Sequence, residues 1–278
     1  MIEIRDLRFS YPGNTLLFKD LNLTLHKGHI YGLLGRNGAG KSTLLKNMTG
    51  LAFPAGGACL FDGISISQRP VALLERLYFI PEELFVPSLT PSQFMRSTGK
   101  FYPKFSESDF YQYLKALDVD AHAVMDKLSF GQQKKTMIAF GLATNADLLI
   151  MDEPTNGLDI PSKVQFRKLI ASVLTEERCI IISTHQVRDL DSLIDTLLVL
   201  HENEIILNQS LDVVTEKLVF DTYASTQGLP VLYEEENIRG KNAILRNTSG
   251  KFSKPDLELL FNGIISGNRA LLDTLNAS

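Results

Sequence analysis

"GLLGRNGAGKSTLLK", Gly32 to Lys46, is the stretch on which the fold turns. Within it, Gly35 to Ser42 fits G-x-x-x-x-G-K-[ST], with the apolar run "IYGLLG" before it and a helix-like run after it. That strand–loop–helix setting gives the pattern its physical meaning. Gly35, Gly38 and Gly40 allow backbone geometries that turn successive N–H groups onto phosphate oxygens, and the following helix offers its positive end to the same anion. The loop residues Gly35, Arg36, Asn37, Gly38, Ala39, Gly40, Lys41, Ser42 and Thr43 are therefore the candidate phosphate contacts. Lys41 is expected to reach the terminal phosphates, and the Ser42 hydroxyl to face Mg²⁺, a hard cation that keeps oxygen ligands.

Further along, "LLIMDEP" carries an apolar run out to Asp152 and Glu153, so two carboxylates stand at a strand's end, where parallel sheets bind ligands. Asp152 is the candidate for holding Mg²⁺ through water, and Glu153 for polarising an attacking water as general base. "CIIISTH" sets His185 at the end of another apolar run. There it could contact a terminal phosphate, although a lone histidine in such a place is more often structural. "LSFGQQKK" puts Ser129 just before a helical pattern, a second helix start able to take an anion. An ordinary serine cap explains Ser129 equally well by itself.

"IEIRDLRF" and "LNLTL" alternate apolar and polar residues, whereas "IYGLLG", "LLIMDEP" and "CIIISTH" are unbroken apolar runs. The contrast predicts an antiparallel β flank beside a parallel core covered on both faces, an α/β fold with a mixed sheet. Residues 84–145 lack a strand run but carry helical spacing in "SESDFYQYLKALDV" and "SFGQQKKTMIAFGLA", which predicts a helical insertion. From about residue 212 the chain reads as a small α+β C-terminal domain, residues 212–278, accessory or regulatory to the domain of residues 1–211.

A chain of 278 residues with 44% hydrophobic content can bury a large core. A net charge of −4 supplies no basic excess for a polyanion, so nucleic acid is not an expected partner. The two cysteines, Cys59 and Cys179, are not spaced as a redox or metal pair, and a reducing cytoplasm fits them. No run reaches the ~18 apolar residues of a membrane helix.

"GRNGAGKS", "LSFGQ", "LLIMDEP", "GLD" and "STH", in that order, resemble the nucleotide-binding subunit of an ATP-binding cassette transporter over roughly residues 1–211. The resemblance implies a P-loop NTPase that binds ATP and Mg²⁺ and hydrolyses ATP. It also implies that Tyr11 stacks on adenine and that Asp159 lies at a dimer seam. Ser129, Gly131 and Gln132 of one subunit would complete the site containing Lys41 of the other. A homodimer, or a heterodimer with a second such subunit, would then drive a separate integral-membrane permease from the cytoplasmic face of the cell membrane. Two positions depart from the family's pattern: Glu82 in "FIPEE" stands where Gln is usual, and Phe130 where the signature usually has Gly. Glu82 could still ligate Mg²⁺ through oxygen. The Glu82 change and the tail "PDLELLFNGII" look like the ATPases of ABC-2-type or multidrug exporters. Two other readings stay open: a non-transport cassette ATPase acting on nucleic acid or ribosomes, and a binding module without hydrolysis. The first lacks its long heptad insertion, zinc-spaced cysteines or second cassette here; Lys41, Asp152 and Glu153 oppose the second.

Overall fold

The computed structural model describes residues 1–13, 15–190, 192–238 and 240–277. Strands β1 (Ile2–Phe9) and β2 (Phe18–Leu25) alternate buried and exposed positions and pair antiparallel, as strands with one wet face should. β3 (Ile30–Leu34) is buried at every residue and delivers the glycine loop into helix α1 (Lys41–Met48). β4 (Gly56–Phe61) and β5 (Ile64–Ser65) complete an antiparallel sheet in the order β2-β1-β4-β5. The short α2 (Val71–Leu74) then leads into β6 (Leu77–Ile80).

Three helices follow: α3 (Pro91–Thr98), α4 (Glu107–Ala116) and α5 (Phe130–Ala143). The sequence reading had no helix over α3. Its start is nevertheless written locally: Thr90 and Gln93 form a reciprocal capping box and Pro91 occupies the first turn. Ser106 and Ser129 cap α4 and α5 through the hydroxyl alone, each accepting from the backbone N–H three residues on. The buried Phe140 ring joins these helices, with the rings of Phe94 at 4.8 Å, Phe105 at 5.1 Å and the β6 residue Tyr78 at 5.5 Å. Such ring pairs are worth about 0.5–1.5 kcal/mol each beyond the area they bury.

β7 (Leu148–Asp152), α6 (Ile160–Val173), β8 (Cys179–Thr184), β9 (Thr196–His201) and β10 (Glu204–Ser210) close the second sheet, ordered β10-β9-β3-β8-β7-β6. All its pairings are parallel except the β9–β10 hairpin. Period-two geometry sorts the unbroken apolar runs onto its two faces. Leu149, Met151, Ile180, Ile182, Leu197 and Val199 enter the core under α3–α6. Their neighbours Leu148, Ile150, Cys179, Ile181, Leu198 and Leu200 enter the core shared with α1 and the antiparallel sheet. Cys59 and Cys179 are free and buried, and burial pushes both thiols up to about 12, which makes them inert packing groups at neutral pH.

The C-terminal segment comprises α7 (Leu211–Lys217), the antiparallel strands β11 (Leu218–Tyr223), β12 (Val231–Asn237) and β13 (Gly240–Arg246) in the order β11-β13-β12, then α8 (Leu257–Ile265) and α9 (Arg269–Asn276). Val214, Leu218, Ile244, Leu260, Ile264 and Leu271 belong to the same apolar cluster as Leu190, Leu197 and Val199 of the main sheet's surroundings. The segment's core and the sheet's core are thus one continuous body, and cutting between them would open apolar surface on both pieces. Among the described residues no helix is long and apolar enough to cross a membrane.

Candidate functional site

The chain lays down β6, β7 and β8 successively toward β3, then crosses to β3's other side for β9, so the loops after β3, β7 and β8 open into one crevice at the carboxyl ends of the strands. A cavity of about 860 Å³ lies there, lined by Tyr11, Asn37, Gly38, Gly40, Lys41, Ser42, Thr43, Glu82, Glu153 and His185 among others. Gly38 and Gly40 have φ of 80° and 101°, in the left-handed region where a side chain would be strained. Gly40 is also the N-cap of α1 and no side chain caps that helix, so its first-turn N–H groups are offered to the cavity. This is the cradle that the phosphates of a nucleotide require.

Lys41 is only 7% exposed, and its Nζ donates to the carbonyls of Gly35 at 2.8 Å and Arg36 at 3.4 Å. Burial pulls its pKa down, opposed by the charges of Glu153, Asp152 and Glu82 in that order. The Glu153 carboxylate is 3.8 Å away. The loop's own carbonyls therefore aim a largely desolvated ammonium at the cavity while the carboxylates keep it charged.

Glu153 follows the last residue of β7 with φ of 46°, a backbone strain common at reacting centres. Its Oε1 accepts from the His185 backbone N–H at 2.9 Å and lies 2.8 Å from His185 Nδ1; its Oε2 accepts from Thr184 Oγ1 at 3.0 Å. With about four acceptor positions on a carboxylate, a water can still bond to it. The end of β8 thus fixes the orientation of the β7 carboxylate. Asp152 accepts from Ser183 Oγ. The exposed Glu82 carboxylate accepts from Asn156 Nδ2 at 3.2 Å.

The structure brings Tyr11, Asn37, Gly38, Gly40 to Thr43, Glu82, Glu153 and His185 to one cavity. Gly35, Arg36 and Ala39 lie in the loop beneath it, and Asp152 sits behind it, 2% exposed. Tyr11 stands edge-on to Phe9 at 5.0 Å, with its hydroxyl 3.0 Å from Thr43 Oγ1. Ser129, Gly131, Gln132 and Asp159 do not line the cavity. Ser129 and Asp159 cap α5 and α6, and the two turns touch: a methyl group added at Gly131 would come within 2.6 Å of the Gly157 carbonyl. The helix starts at Ser129 and Asp159 thus lie together, apart from the glycine-loop cavity.

Several lining or supporting residues escaped the sequence reading. Leu16 and Leu17 reach the cavity from the loop after Tyr11, and Asn203 from the β9–β10 turn, where Glu202 and Asn203 both have positive φ. Nothing in the sequence ties these segments to the glycine loop. Ser183 and Thr184 were more accessible, since two hydroxyls at the end of a buried strand call for partners.

Chemically, the site can hold a phosphate chain on backbone N–H groups, neutralise it with Lys41 and present a fixed carboxylate to water. Among the described residues no cluster of three or more His, Cys, Asp or Glu side chains could hold a metal alone. A divalent ion would need the Ser42 hydroxyl, water and phosphate oxygens to complete its shell, a donor set that suits Mg²⁺.

The family model described as "ABC transporter" matches residues 18–156. The ABC transporter ATP-binding protein YtrB of Bacillus subtilis (strain 168) is 29% identical over 239 residues, covering 86% of this chain and 82% of that protein. The lantibiotic transport ATP-binding protein SrtF of Streptococcus pyogenes is 33% identical over 215 residues, 76% of this chain and 92% of that one. A solved structure of the ATP binding subunit of an ABC transporter superposes with a TM-score of 0.68 at 26% identity, covering 76% of this chain and 90% of its own. The glycine cradle, the Glu153–His185 pair and these matches lead to one conclusion: the chain belongs to the ABC transporter family as an ATP-binding ATPase subunit.

Proposed function

We propose that this ATPase powers a separate integral-membrane permease, that two copies, or this chain and a second such subunit, close around ATP, and that Mg²⁺ serves the reaction. The observation that carries the reading is Glu153, oriented by Thr184 and His185 and held 3.8 Å from Lys41 across the cavity. Bound Mg²⁺ would neutralise charge on the terminal phosphates, with Ser42 and Glu82 at hand in the cavity wall and Asp152 behind them. Lys41 binds and orients the phosphates, Glu153 takes the proton from the attacking water, and His185 keeps the Glu153 carboxylate turned toward it. The second copy supports itself on the other anion-facing surface, because Ser129, Gly131, Gln132 and Asp159 are adjacent to one another yet absent from their own chain's cavity. Tyr11, at the cavity mouth and 42% exposed, is the residue for the adenine ring.

A permease on a separate polypeptide would hold this subunit at the cytoplasmic face; among the described residues no helix is long and apolar enough to cross a membrane. The segment "ELFVPSLTPSQF" is the surface proposed to meet it, and Phe85 there is 93% exposed beside Glu82. Residues 1–211 would then be the working cassette and residues 212–278 an accessory or regulatory unit built onto it. The export named for the Nod factor export ATP-binding protein I, a relative 31% identical over 207 residues, favours export as the direction. To test the assignment, the chain is purified from membranes under mild detergent, the copurifying polypeptides are identified, and ATPase rate is measured with and without them. A polytopic membrane protein that raises turnover, and loses the subunit on Phe85→Ser, is expected; recovery with ribosomes or nucleic acid and no membrane protein would replace this reading.

Glu82→Gln restores the residue usual in the family. It is expected to leave ATP affinity within about twofold, since Glu82 adds no charge-assisted bond to phosphate, and to move the Mg²⁺ midpoint of turnover. Superimposable Mg²⁺ titrations of the two proteins would remove Glu82 from the metal's surroundings.

A further inference from the structure

We propose that Lys134 is a positioning residue that tethers the Glu82 loop at the cavity wall to α5, the helix that begins at Ser129, so that the two anion-facing surfaces move as one. The proposal rests on the ATPase reading above for its kinetic consequence, and on geometry alone for the tether.

Lys134 is 0% exposed, in the second turn of α5. Its Nζ donates to the Glu82 carbonyl at 2.8 Å, and the Pro81 carbonyl lies at 3.5 Å. No carboxylate of a described residue forms an ion pair with it. Burial pulls its pKa down, while Glu82, Asp152 and Glu153 act from a distance to keep it charged. A lysine so placed is costly: it loses side-chain entropy and hydration, and an apolar residue of similar volume would fill the space at least as well if packing were the only requirement. What an apolar residue cannot do is hold two consecutive carbonyls of a loop that has no strand or helix to satisfy them.

Two further contacts close a ring around this tether. The Phe130 ring, at the signature position usually held by Gly, covers the Lys134 ammonium with its centroid 5.4 Å from Nζ. The same ring packs onto the turn after Glu153: a methyl group added at Gly157 would come within 2.7 Å of it. Next to Gly157, Asn156 donates to the Glu82 carboxylate at 3.2 Å and accepts from Gln186 Nε2 at 3.2 Å, one residue beyond His185. From α5 the path runs through Lys134 to the Glu82 loop, through Asn156 to the turn carrying Glu153, and through Phe130 back to α5. A displacement of Ser129 on α5 therefore pulls on both Glu82 and the turn that follows Glu153.

Lys134→Gln keeps a hydrogen-bond donor but removes length and charge, while Lys134→Arg keeps the charge and its donors. Both full-length variants are compared with wild type by ATP-dependent steady-state kinetics and by limited proteolysis with chymotrypsin, which can reach the exposed Phe85. For Lys134→Gln the expected results are cleavage about tenfold faster after Phe85, with the other cleavage sites unchanged, and kcat about five- to tenfold lower with KM for ATP within about twofold. Lys134→Arg should recover at least about half of the wild-type kcat and most of the resistance to cleavage. Unchanged cleavage at Phe85 in Lys134→Gln overturns the tether, as does faster cleavage spread equally over all sites, which would make Lys134 a packing residue. A wild-type protein without ATP turnover would defeat the ATPase reading instead, and the cleavage comparison would still decide the tether.

Discussion

ATP turnover falls by about 10²- to 10³-fold in Glu153→Gln while ATP stays bound, because an amide of nearly the same shape cannot accept the attacking water's proton. The structure makes this substitution informative. Three donors, Thr184 Oγ1, the His185 N–H and the His185 ring, converge on the carboxylate. With the amide oxygen in the place of Oε1 both His185 donors keep their acceptor, and the amide NH2 can donate to the Thr184 hydroxyl, so the orientation is kept while the base is lost. The bound, uncleaved nucleotide should hold two copies together, since a ligand that binds only the closed pair stabilises it by mass action. Sedimentation velocity with excess ATP and Mg²⁺ is expected to give a dimer for this variant and monomer without nucleotide. Monomer under both conditions, with ATP bound, would mean that Ser129 and Gly131 have no partner's nucleotide to meet; wild-type turnover in the variant would remove Glu153 from the base role.

Lys41→Ala should abolish binding more severely than any other single change in the cavity. The ammonium is 7% exposed and is the cation that the structure aims at the phosphates. Truncating one member of a buried charge pair costs about 2–5 kcal/mol, or about 30- to several-thousand-fold in affinity. Arg in its place should not restore function, because a planar fork cannot take the two loop carbonyls and a phosphate from one point as an ammonium does. Titration calorimetry with ATP in the presence of Mg²⁺ measures the loss directly. Binding within threefold of wild type would show that the backbone N–H cradle alone holds the nucleotide. Glu153 keeps its Thr184 and His185 donors when the ammonium is removed, but the buried pair is broken, so the variant's fold is checked by circular dichroism before binding is read.

The parts of the site that depend on contiguous residues were legible in the chain. Gly38 and Gly40 required positive φ for reasons local to the loop, and Ser129, Ser106 and Asp159 cap helices three residues ahead of the N–H groups they bond. The apolar runs at Leu148 and Cys179 spelled buried parallel strands because both faces of such strands are covered. Helix α3 was missed although its capping box is local, since "PSQFMRST" carries too few apolar residues for periodicity to reveal it.

By itself, the sequence determined which chemistry the chain could perform: a glycine-lined phosphate loop ending in Lys41 and Ser42, carboxylates at a strand's end, and an alternating flank beside a parallel core. These follow from backbone dihedrals, helix starts and period-two or helical spacing, all set within a few residues. Only the tertiary structure decided which groups meet. The strand order places Glu153 against His185 across β7 and β8, brings Asn203 to a cavity that begins at Tyr11, and merges the core of residues 212–277 with that of the main sheet. It also buries Lys134 beneath a loop some fifty residues earlier in the chain. Such contacts join residues with no local spacing rule between them, and their energy is gained only when strand pairing and burial have already closed the long loops that separate them.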